Sequence, residues 1–145
     1  MQRWTSQALA LPARSSWERA DFEFEGVEHD GASFVVHLFL NNTEANEATP
    51  RTPEERYAGY LTVFAHGDCW GDVGHCDIHE PVSPFDRRRP HPLVAFNATL
   101  EVSEPLGALP ETTREVTVTA LAFNKNADET DVFRFNALTL LTYAY

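Results

Sequence analysis

Ser33-Phe-Val-Val-His-Leu-Phe-Leu40 is the stretch on which the fold turns. Six of its eight residues are Phe, Val or Leu, and it stops at the polar pair Asn41-Asn42. A run this short, rich in aromatic and β-branched residues and closed by turn formers, reads as a strand rather than a helix. Working toward the N-terminus, Asp21–Gly26 alternates Phe22 and Phe24 with acidic residues, the period of two of a strand with one buried face. His29-Asp30-Gly31 lies between the two and predicts an antiparallel hairpin over residues 21–40. Toward the C-terminus, Tyr57–Ala65, Leu93–Val102, Arg114–Phe123 and Val132–Tyr143 read as further strands, with Asn124–Asp128 as a hairpin loop between the last two. Helical signals are weak. Ser15 and Glu18 fit a capping box, and Thr52-Pro-Glu-Glu55 has first-turn chemistry with no long amphipathic stretch behind it.

Six or seven strands with long connections predict an all-β fold: a single antiparallel β-sandwich or jelly-roll-like barrel with one long ordered Cys/His-rich loop. Residues 1–20 read as an N-terminal extension and residues 21–145 as the sandwich domain. The 145 residues suit one hydrophobic core. An apolar share of 43% and a charged share of 23% exclude a wholly disordered chain. The net charge of −11 argues against nucleic acid or an anionic membrane as a partner, since both are negative. Lys125 is the single lysine among the 11 basic residues. No apolar run approaches the ~20 residues that span a bilayer. Gln7 and Pro12 interrupt the apolar patch of Met1–Ala13, which makes a poor secretory signal, so a cytoplasmic location is expected.

Residues 66–92 (HGDCWGDVGHCDIHEPVSPFDRRRPHP) fit no strand or helix. Connections longer than ~12–15 residues without secondary structure are mostly functional or disordered. Both cysteines, Cys69 and Cys76, and four of the six histidines, His66, His75, His79 and His91, fall here. Thiolate and imidazole are the usual ligands of zinc, and Cu(I) favours soft sulfur. Gly67, Gly71 and Gly74 would let the backbone turn tightly enough for such ligands to converge. The His-x2-Cys-x6-Cys-x2-His spacing matches no standard zinc finger. Three readings stay open: a copper or zinc site built from some subset of these six residues, a disulfide worth roughly 2–3 kcal/mol by loop entropy, or two packed thiols.

Arg87-Arg88-Arg89 is the only dense basic run and reads either as intramolecular pairing with surface carboxylates or as contact with an acidic partner. Trp70, among the glycines, is a candidate anchor for a partner or a plug for its own sandwich. His37, inside an apolar strand, reads as a satisfied core or sheet-face histidine, and His29 as a solvated turn residue. There is no G-x-S-x-G elbow, phosphate-binding loop or dinucleotide fingerprint.

Tyr57-Ala-Gly-Tyr60, Phe64-Ala-His-Gly67, Cys69, Gly71-Asp72, Gly74-His-Cys-Asp77, Pro84-Phe-Asp86, the run from Arg87 to Pro90 and His91-Pro92 together resemble the C-terminal β-domain of bacterial tyrosinase-like type-3 copper proteins. Val116–Phe123 and Phe133–Tyr143 are similar to the last hairpin of that domain, which in plant polyphenol oxidases follows the copper-binding helical bundle. The resemblance covers roughly residues 20–145. It implies a non-catalytic accessory or binding domain that covers the entrance of a helical dicopper partner or helps deliver copper. The chain has six histidines but no four-helix pattern to present them, so it lacks the oxidase bundle. The competing expectation is a small cupin-like jelly-roll metalloenzyme that uses His66, His75, His79 and His91 around one metal.

Overall fold

The structure, a computed structural model, describes residues 1–65, 73, 83–85, 94–125 and 131–144. Among the described residues, seven strands form two antiparallel sheets packed face to face, a β-sandwich, and two short strands pair separately. One sheet has four strands: β1 (Gln2–Thr5), β8 (Val118–Asn124), β4 (Phe34–Leu40) and β5 (Tyr57–Val63), in that order. The other has three: β6 (Phe96–Glu101), β3 (Arg19–Val27) and β9 (Ala137–Tyr143). A two-residue ladder joins β2 (Leu9–Ala10) to β7 (Glu115–Val116).

Alternation decides which side chains meet between the sheets. Phe22 and Phe24 of β3 face Val36, Leu38 and Leu40 of β4, and all five are fully buried. Burying a side chain of this size contributes about 1.5–3 kcal/mol. Phe133 and Phe135, on the approach to β9, close one end. Phe24 meets Phe135 edge-on at 5.1 Å and Phe133 at 5.2 Å. Offset and edge-on ring pairs of this kind stabilise beyond the area they bury.

Two expected hairpins are not hairpins. β3 and β4 lie in different sheets, and so do β8 and β9, so the connections at residues 28–33 and 125–136 cross the sandwich. The apolar positions of β3 and β4 face each other across the core instead of pairing edge to edge. Among these strands only β4 and β5 are consecutive and paired. The first 20 residues, read from the sequence as an extension, add β1 to the edge of β8 and bury Leu11 and Trp17 in the core. Arg14 lies 4.2 Å over the Trp17 ring and donates to its carbonyl at 2.8 Å. The expected capping box at Ser15 and Glu18 does not form. A 3₁₀ turn spans Arg14–Ser16 with Ala13 at its N-cap, and Ser16 Oγ donates to the Ala13 carbonyl at 2.7 Å. A short helix, α1 (Ser103–Gly107), seals the core with Leu106. Among the described residues no helix is long and apolar enough to cross a membrane.

Asn41 pins the point where the chain passes from β7 to β8 and changes partners. Its backbone lies in the left-handed region (φ 50°), which asparagine tolerates better than most residues. Its side-chain oxygen accepts from Thr117 N at 2.8 Å, and its own N–H donates to the Thr117 carbonyl at 2.9 Å. Thr117 separates β7, paired with β2, from β8, paired with β1 and β4.

Candidate functional site

The outward face of the four-stranded sheet carries a cluster that a plain sandwich surface would not need. Val35, His37 and Phe39 point outward from β4, in register with Phe123, Leu121 and Thr119 of β8. Phe39 and Leu121 are buried under Ala45, part of the loop between β4 and β5.

On β5 the decisive feature is a bulge. Gly59 pairs with Leu38 but Tyr57 pairs with Phe39, so β5 holds one residue more than β4 there. Tyr57 and Tyr60 are three apart and would otherwise face opposite sides of the sheet. The extra residue, Ala58, turns into the core, and both tyrosines reach the outer face beside His37. Gly59 allows this with φ +133°, and a Cβ there would meet Leu100 Cδ2 at 3.3 Å.

His37 sits at the centre. Its ring centroid lies 5.8 Å from Tyr57, 6.1 Å from Tyr60 and 5.7 Å from Phe123. Its Nδ1 shares a 2.9 Å hydrogen bond with the Tyr57 hydroxyl. Burial and then the nearby Arg51 guanidinium hold the imidazole below its ordinary pKa, so it is neutral at pH 7. Burial raises the Tyr57 phenol, with Tyr60 adding to the rise and Arg51 opposing it. Arg51 itself lies 5.8 Å over the Phe123 ring.

These side chains floor an open depression of about 1230 Å³. Tyr60, 59% exposed, and Phe64, 82% exposed, stand at its wall, and Thr62, Asn124 and Lys125 add polar groups. The arrangement offers aromatic faces for stacking and a few convergent polar atoms, the usual make-up of a ligand site. Sequence reading found the strands but not this cluster. The available signal was the odd spacing of Tyr57 and Tyr60 around a glycine.

His66, Cys69, His75, Cys76, His79 and His91, expected as metal ligands, lie outside the described residues, as do Trp70, Arg87, Arg88 and Arg89. Among the described residues no group of three His, Cys, Asp or Glu side chains is placed to hold a metal ion. His37 is a satisfied sheet-face histidine. His29, expected to be solvated, is half-buried, with Nε2 at 3.0 Å from the Val94 carbonyl and its ring edge-on to Phe96. Comparisons with family models, curated proteins and solved structures return no match.

Proposed function

We propose that this chain is a binding domain and that the aromatic depression on the outer face of the four-stranded sheet is its recognition site. The observation that carries this reading is the bulge at Gly59, which brings Tyr57 and Tyr60 to the same face around His37. Leaving Tyr60 and Phe64 largely in water forgoes the stabilisation that burying such rings would bring, and a planar apolar ligand restores it. A binding β-domain is also what the tyrosinase-like resemblance implies, in the setting of an accessory to a helical dicopper protein.

Titration with the neutral fluorophore N-phenyl-1-naphthylamine tests the site. Saturable fluorescence enhancement is expected, weakened about tenfold by Tyr60→Ala or Phe64→Ala, the scale of one lost aromatic stacking contact. Absence of saturation, or an affinity in both variants unchanged from that of the unaltered chain, would overturn the reading.

A further inference from the structure

We infer that the aromatic depression takes a small planar anion, an aryl carboxylate, with the ring against Tyr60 and Phe64 and the carboxylate toward Arg51 and Lys125. This rests on the binding reading above and goes further by naming the ligand class.

The argument is one of charge. Acidic residues number 22 against 11 basic ones in the chain, yet the described lining reverses that balance. It contains Arg51, Lys125 and His37, and no Asp or Glu. Neither Arg51 nor Lys125 forms an ion pair with a described residue, whereas Arg19 and Arg134 are held by carboxylates. Two cations beside an open aromatic depression, without a carboxylate among the described lining, form a site with positive potential on a negative molecule. That potential reaches the floor, where Arg51 acts on both His37 and Tyr57. A guanidinium also binds a carboxylate through paired N–H donors, which favours this planar anion over a diffuse charge.

The same arithmetic sets the size of the ligand. A large polyanion would meet the net charge of −11 before it met the site. At physiological ionic strength fields fade over about 8 Å, so a small monoanion inside the depression responds chiefly to the two adjacent cations.

The test compares 2-naphthoate with its neutral isostere 2-naphthamide by isothermal titration of the full chain. We expect the carboxylate to bind about tenfold more tightly at low salt, with the preference shrinking at 0.5 M NaCl. The double variant Arg51→Gln/Lys125→Gln, both positions being exposed, is expected to bind the two compounds equally while its thermal transition stays in place. Equal affinity of the two compounds for the unaltered chain would overturn the charge inference and leave the aromatic site standing. Failure of both to bind would overturn the inference together with the reading beneath it. A preference for the carboxylate that survives in the double variant would also overturn it, by placing the anion elsewhere.

Discussion

His37 shows how one residue can report on its whole surroundings. Its pKa is lowered in the fold, by burial first and then by Arg51. In the unfolded chain it titrates near the ordinary value of about 6.5. Above that pH neither state holds the proton, and the folded imidazole adds no pH dependence. As pH falls through 6.5 toward the depressed folded value, the unfolded chain takes up a proton that the folded chain resists, so stability falls. The unfolding temperature is therefore expected to drop more between pH 7.5 and pH 5.5 for the unaltered chain than for His37→Gln. Equal drops would show that the imidazole is not held neutral by its site. That His37 is a satisfied strand residue rather than a metal ligand was legible from its place in an apolar run, which left core and sheet face both open. Its partner Tyr57 was not, because 20 positions of sequence separate the two and no local pattern couples them.

At the scale of the element, the β5 bulge is the feature with most leverage. An L-residue at position 59 would be strained by φ +133° and would press on Leu100. Gly59→Ala is expected to lower stability by about 1–3 kcal/mol in denaturant unfolding. It should also weaken naphthylamine binding, since relieving the strain by losing the bulge turns Tyr57 or Tyr60 to the wrong face. An unchanged denaturation midpoint would mean that the backbone there is not constrained. Strand positions were readable because alternation records which side chains face a core. Phe22 and Phe24 stand where that pattern puts them. Strand partners were not readable. A buried face looks the same whether its strand pairs with the next one or lies opposite it, so two sheet crossings passed for hairpins at residues 21–40 and 124–128. The bulge was hidden for a related reason: one inserted residue leaves composition and propensity unchanged and alters only register.

For the whole molecule, the core side chains described above come from residues outside the Cys/His stretch, and this separates two stabilities that can be measured apart. Two of the three sequence readings of residues 66–91 have sulfur and imidazole hold that stretch by a metal ion or a disulfide, and the third leaves two packed thiols. On either of the first two, Cys69→Ser and Cys76→Ser should speed protease cleavage within residues 66–92, with the thermal transition of the sandwich nearly unchanged. Metal analysis and thiol titration of chelator-free protein distinguish the two kinds of link. Unchanged cleavage in both variants would remove them together. The interleaved strand order has a consequence for synthesis. β8 lies between β1 and β4, and β9 flanks β3, so a chain emerging from the ribosome has the early strands of both sheets in hand with their neighbours still unmade. Neither sheet can close until β8 and β9 have been made, which leaves the unpaired edges of β3 and β4 as natural clients for a chaperone in the interval.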